Sequence, residues 1–229
     1  MLIQLPLVWL LPAPLVWLLL AAAPAEQAVL AKMDESAAAF RSMSGKIRKV
    51  THTAVINDDG VESGTIHLKR QGARDIRLLV DIGEPDPKSY ALQGRKAEIY
   101  YPKIQTVQEY DLGRQSQLLD QFLLLGFGTP TRDLLRSYTL RVAGEETVAG
   151  QKTARLELIP KSAKVLQYLS KAELWISLAD GHTVQQKFHE PSGDYRLATY
   201  SDVKWNPTLA DSELALKLPK NVKREYPQR

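Results

Sequence analysis

The chain has 229 residues, 24% of them charged and 44% hydrophobic, and carries a formal charge of +4. An excess this small and this dispersed does not suit a nucleic-acid-binding face. The absence of cysteine excludes disulfides, thiol chemistry and a lipid-modified N-terminal Cys.

Residues Met1 to Leu20 are almost wholly apolar, and Ala23-Pro24-Ala25 fits the small-x-small rule of signal peptidase. We read 1–25 as a cleaved export signal and 26–229 as one domain, which leaves 229 − 25 = 204 residues, enough for a real core. An exported, cysteine-free chain of this kind suits a bacterial periplasm.

From Glu26 to Met43 the pattern predicts a helix with a weak apolar stripe (Ala28, Leu30, Ala31, Met33, Ala37, Phe40), stopped by Ser44-Gly45. Strands follow. Lys46 to Asn57 ends at a hairpin signal, NDDG. Thr65–Arg70 and Asp75–Ile82 alternate, the second placing Ile76, Leu78, Val80 and Ile82 on one face. Ser89–Gln93 and Ala97–Tyr101 form a hairpin around Gly94, with Ile99 and Tyr101 inward, and Gln105–Leu112 is a further strand. After an interruption come Tyr138–Val142, Thr153–Ile159, Ala172–Ser177, Thr183–His189, Tyr195–Val203 and Glu213–Leu218, with a single helical turn at Ser162–Tyr168. Inner rows of Leu, Ile, Val and Tyr, including Leu156, Leu158, Leu174 and Ile176, oppose outer rows of Lys, Arg, Glu, Gln and Thr. Nothing polar is expected to converge on the interior.

The interruption, Ser116 to Tyr138, is the organising element. Seven of the ten residues from Leu118 to Phe127 are large and apolar, and they cover most of a helical circumference. A helix apolar all round buries two sides. Gly126 and Gly128 break it, and Thr129-Pro130 then starts a second short helix, Thr as N-cap and Pro at its first position, that carries Leu134. A greasy helix pair inserted into an all-β chain reads either as a lid over an apolar cavity or as an ordinary core helix. The expected fold is mainly β with an α lid: an unclosed antiparallel barrel of about eleven strands, its apolar cavity plugged by short helices.

The chemistry-bearing motifs are absent. The four histidines, His52, His67, His182 and His189, have no compact ligand spacing, and neither HExxH nor GxSxG occurs. No metal, no cofactor and no catalytic residue is predicted.

In order along the chain stand Lys69-Arg70, Gly94-Arg95-Lys96 with Tyr100-Tyr101-Pro102, the strand Gln105–Leu112, the FLLLGFG lid, Leu158-Ile159-Pro160-Lys161, and Leu218-Pro219-Lys220-Asn221-Val222. In this series the chain resembles the LolA-type family, the periplasmic carriers of outer-membrane lipoproteins. The resemblance implies an unclosed barrel with a helical lid and no catalytic site. It implies a monomeric soluble carrier that shields the acyl chains of lipoproteins between inner and outer membrane, with an ABC-type release complex as donor and an outer-membrane acceptor. A same-fold module for free lipid or envelope sensing, without transfer, is the alternative. By resemblance Arg70 is the lid latch, although Gln71-Gly72 follow it where the family has proline; a solvated strand-end arginine is the other reading. The acyl site is then expected at Leu118, Leu119, Phe122, Leu123, Phe127, Leu134, Ile76, Leu78, Val80, Ile99, Tyr101, Leu156, Leu158, Leu174 and Ile176.

Overall fold

A computed structural model of the chain describes residues 22–72, 76–113 and 125–228. Twelve strands form one sheet in the order β12-β6-β5-β4-β3-β2-β1-β11-β10-β9-β8-β7. β1 (Ser42–Thr53), β2 (Asp58–Arg70), β3 (Ile76–Glu84), β4 (Lys88–Gln93), β5 (Lys96–Tyr101) and β6 (Thr106–Asp111) make one meander. β7 (Tyr138–Val148), β8 (Gln151–Pro160), β9 (Lys171–Ser177), β10 (Thr183–His189) and β11 (Tyr195–Trp205) make a second. The halves join where β1 pairs with β11. All neighbours are antiparallel except β12 (Lys223–Glu225), which runs parallel to β6. The sheet does not close into a barrel. β6 and β7, consecutive in sequence, thus lie near opposite ends of the strand order.

Helix α1 (Ala22–Ala39) buries Val29, Met33, Ala37 and then Phe40, spaced four, four and three residues apart. It ends sooner than its composition suggests. Ser44 and Gly45 do not stop a helix; they lie inside β1, at the point where its register against β11 shifts between Ser44 and Lys46. Asn57, with φ 48°, turns the first hairpin, and the two Asp and the Gly of NDDG belong to β2. Helix α2 (Thr131–Ser137) is not capped by Thr129; Pro130 occupies the N-cap position without a side-chain bond. Its exposed donors are met from α1 instead: Asp34 accepts from the Thr131 amide (2.7 Å) and from the Thr131 hydroxyl (2.6 Å). The one-turn helix α3 (Ala163–Leu166) precedes β9.

Glu213–Leu218 is not a strand. A 3-10 turn, Asp211–Leu214, packs on the outer face of β2 and β3, with Leu209 and Leu214 buried. Lys69 Nζ donates to the Leu209 carbonyl (2.8 Å), and Arg77 pairs with Asp211 (2.8 Å). This packing covers part of an outer face, and Leu79, opposite in phase to Leu78 and Val80, is correspondingly buried.

The core has two centres. Under β7–β10, Val29, Met33, Leu125, Leu134, Tyr138, Leu156, Leu158, Leu174 and Ile176 pack into solid apolar contact. Under β1–β3 and β11, Phe40, Met43, Ile47, Ile66, Leu68, Ile76, Val80, Ile82, Phe127 and Tyr200 form the second cluster. The helices fill the first half of the concave sheet and leave the second half open.

Candidate functional site

The open half holds a cavity of about 480 Å³. Strand alternation supplies its wall, because inward residues of antiparallel neighbours fall side by side. Leu68 lies opposite Leu78, Ile66 opposite Val80, Val80 opposite Tyr90, and Tyr90 opposite Ile99. Ile47, Tyr200 and Ala198 continue the surface across the β1–β11 seam, and Phe127 closes one end. Lys49 and Arg196 stand at the other end, near the tops of their strands. Glu62, opposite Lys49, bonds to it (2.8 Å) and pairs with Lys88. Burial pushes the Glu62 carboxyl up, but hydrogen bonds from Lys49 and Lys88 outweigh it and hold the group below the ordinary glutamate range. The result is an apolar tube with a charged, internally paired rim.

The turn Leu125–Gly128, which carries Phe127, is fastened by three side chains. Gln186 Nε2 donates to the Leu125 carbonyl, Thr183 Oγ1 to that of Gly126 (2.6 Å), and Arg70 Nη2 to that of Gly128. Tyr200 donates to Gln186 Oε1 (2.8 Å) and so orients the amide. Burial raises the Tyr200 hydroxyl far above its ordinary pKa, which keeps it a donor. Phe127 meets Tyr200 edge-on, with ring centroids 5.1 Å apart, and lies 6.3 Å from Phe40. Arg70 stands 5.8 Å above the Phe40 ring. Both glycines of the turn have positive φ, 84° at Gly126 and 69° at Gly128. A Cβ on Gly128 would come within 2.6 Å of Arg70 Nη2, and one on Gly126 within 2.4 Å of Thr183 Oγ1. The glycines thus serve close approach to the strands as well as breaking a helix.

The residues singled out in the sequence divide into four groups. Leu78, Val80, Ile99 and Phe127 are on the cavity wall. Ile76 is buried in the adjoining cluster, and Tyr101, half-buried on the face of Ile99, is beyond the wall. Leu134, Leu156, Leu158, Leu174 and Ile176 do not line the cavity; they are fully buried in the packed half, where α1 and α2 cover the sheet. Leu118, Leu119, Phe122 and Leu123 lie outside the described residues.

Polar groups do converge on the interior, against expectation: Gln186, Tyr200 and Thr183 are all buried. Their signal was the β10 sequence Thr183–His189, where Gln186 falls in phase with Val184 and Phe188. Of the histidines, His182 stacks on Trp205 (3.8 Å between centroids) and His189 bonds Glu173 (2.6 Å), so neither is a bare surface side chain. Among the described residues, no three His, Asp or Glu converge as a metal site, and no helix is long and apolar enough to cross a membrane.

These features define a class: an open antiparallel sheet curved around helices and an apolar cavity. No family model and no curated protein matches the sequence. Solved structures do. MucB superposes with TM-score 0.53 at 16% identity, over 89% of this chain and 66% of MucB, so the chain spans less than two thirds of that protein. An uncharacterized conserved protein from Thermus thermophilus gives TM-score 0.53 at 13% identity, over 88% of this chain and 99% of the other. A LolA superfamily protein from Nitrosomonas europaea superposes more loosely, with TM-score 0.40 at 16% identity over 83% and 97% of the two chains. The fold is that shared with MucB and the Thermus thermophilus protein. At such identities the likeness establishes the fold and leaves ligand and partners to the site itself.

Proposed function

We propose that the chain is an exported, non-enzymatic module that binds acyl chains in the cavity between β1–β5 and β11. The observation that carries this reading is the cavity's lining: Ile47, Ile66, Leu68, Leu78, Val80 and Phe127 present apolar surface to a space closed at one end and charged at the other. Such a shape fits an amphiphile with its tail inside and its head at Lys49 and Arg196. Each methylene taken from water contributes about 0.8 kcal/mol, so a single long tail supplies ample affinity. In its periplasmic form the module would lack 1–25. A role as carrier of lipoproteins from an inner-membrane release complex to an outer-membrane acceptor is the fullest version of this proposal.

The size of the cavity favours a narrower version. At about 480 Å³ it falls within the roughly 300–1,000 Å³ typical of a pocket for one small ligand. One lipid at a time suits the structure as it stands, and a triacylated cargo requires the Leu125–Gly128 turn to move. Lipids extracted from protein purified from a periplasm and weighed by mass spectrometry test both versions. A free fatty acid or phospholipid supports the one-lipid module, a triacylated lipoprotein supports the carrier, and an empty protein under native extraction contradicts both.

A further inference from the structure

The strand directions place the turns after β1, β3, β5, β8 and β10 at one end of the sheet, the end at which Lys49 and Arg196 mark the cavity's rim. Several of these turns carry large apolar side chains in the open. Val55 is 91% exposed and Ile56 69% at the tip of the first hairpin; Ile104 is 67% exposed after β5, and Tyr168 67% after β8. The tip itself, Ala54-Val55-Ile56, holds no charge, in a position where hairpins ordinarily use polar turn residues. It also projects. β2 pairs with β3 only from Ser63 onward, so Asp58–Glu62 run past the end of β3, about 16 Å of strand at the usual rise.

The tip is ordered by its neighbours. The Asn57 amide donates to the Ala54 carbonyl (3.2 Å), and the Ala54 amide to Asp194 Oδ1 (2.7 Å) in the turn after β10. Behind the tips, polar groups are paired: His52 with Asp59 (2.8 Å), Lys103 with Asp86 (2.8 Å), Arg196 with Glu190 (2.9 Å). A hairpin whose backbone turn is already ordered needs no further backbone ordering on insertion, and the paired collar can remain at headgroup level. The apolar groups lie on separate loops rather than on one flat face. A protein groove matches a continuous face, whereas the fluid boundary of a bilayer accepts each tip on its own.

We propose that this end is a bilayer-docking surface, in which Val55 and Ile56, aided by Ile104 and Tyr168, enter the acyl–headgroup boundary and seat the cavity mouth on the membrane. The proposal goes beyond the lipid-cavity reading and does not depend on it. A cavity that takes no lipid would leave the docking surface standing.

The lack of native cysteine makes the test direct. Val55→Cys, Ile104→Cys and, at the opposite end, Gln151→Cys are labelled with an environment-sensitive dye in the exported, processed chain. Each is mixed with vesicles of phosphatidylethanolamine and phosphatidylglycerol. The expected result is a blue shift and quenching by bilayer-embedded quencher at positions 55 and 104 but not at 151. In sedimentation of unlabelled protein, Ile56→Asp is expected to lower vesicle partitioning about tenfold or more at unchanged melting temperature. No shift at 55, an equal shift at 151, or unchanged partitioning of Ile56→Asp overturns the proposal. Binding only to vesicles that carry membrane proteins would overturn it in favour of a protein partner.

Discussion

Arg70, at the end of β2, donates a hydrogen bond to the carbonyl of Gly128, the last residue of the turn that closes the cavity. Its Nε is buried without a partner, and burial together with nearby Arg41 lowers the guanidinium's pKa. The arginine has thus lost much of its hydration and holds one strong bond, in a position that suits a latch. Arg70→Leu is expected to weaken the Leu125–Gly128 turn by about 1–3 kcal/mol, the value of a charge-assisted bond. Hydrogen exchange at the amides of 126–128 should accelerate while exchange in β8 and β9 does not. Equal exchange in both proteins would reduce Arg70 to a strand-end residue.

Gly128→Ala attacks the same contact from the other side. With φ at 69° and a Cβ placed 2.6 Å from Arg70 Nη2, the substitution should cost about 1–3 kcal/mol through backbone strain. Combined with Arg70→Leu, it should cost less than the sum of the two alone, because the clash with the guanidinium is relieved while that with Phe40 Cδ1, at 2.8 Å, remains. Full additivity in chemical denaturation would show that the two residues are not coupled.

Asp34 tests the link between α1 and α2. Its carboxylate accepts two bonds from Thr131, so Asp34→Ala removes the cap of α2 from a distance. A loss of about 1–2 kcal/mol is expected, which lowers the melting temperature by about 2–8 °C in a domain of this size. Thr131→Val should reproduce part of the loss, since the amide bond survives while the hydroxyl bond does not. An unaltered melting temperature in Asp34→Ala would remove remote capping from the account.

The two halves of the sheet should respond differently to truncation. Leu174 is fully buried in the packed half, and Leu174→Ala should cost about 2–5 kcal/mol without altering the affinity for an acyl probe. Leu78 lines the cavity and is only half-buried. Leu78→Ala should cost less in stability and change probe affinity. The reverse pattern would place the binding surface under β7–β10.

Acid should weaken the fold through Glu173. Burial pushes its carboxyl up, but the bond from His189 and the attraction of Lys171 outweigh that, and its pKa stays below the ordinary glutamate value. A depressed folded pKa gives stability that is present above the unfolded value, about 4.3, and is lost as pH falls through the folded value. Glu173→Gln should therefore start less stable at neutral pH and lose less on acidification. Parallel melting curves against pH for the two proteins would exclude this contribution.

The strands were legible because alternation is a local property, and Ile76 to Ile82 declared its inner face without reference to anything else. What the sequence hid was non-local. Ser44-Gly45 reads as a helix stop until its pairing partner in β11 is known, and it then becomes an irregularity inside a strand. The cap of α2 comes from Asp34, 97 residues away, beyond any local capping pattern. Leu156, Leu174 and Leu78 share the same alternating signature. Whether such a row faces a helix or empty space depends on where α1 and α2 dock across the sheet. Gln186 and Tyr200 were hidden for the opposite reason: polar residue types suggest an outer face, and only the burial of Leu125–Gly128 against β10 gives them a buried task.

The central claim is that the space bounded by Leu68, Leu78, Val80, Tyr200 and Phe127 receives an acyl chain. Ala198 lines the same space, and Ala198→Trp should obstruct part of it. The decisive measurement is titration of a fluorescent fatty acid into wild-type protein and into this variant, after delipidation and with folding verified by melting curves. The account predicts saturable binding of about one equivalent to wild type and clearly weaker binding to a folded Ala198→Trp. Equal binding by both proteins would contradict it.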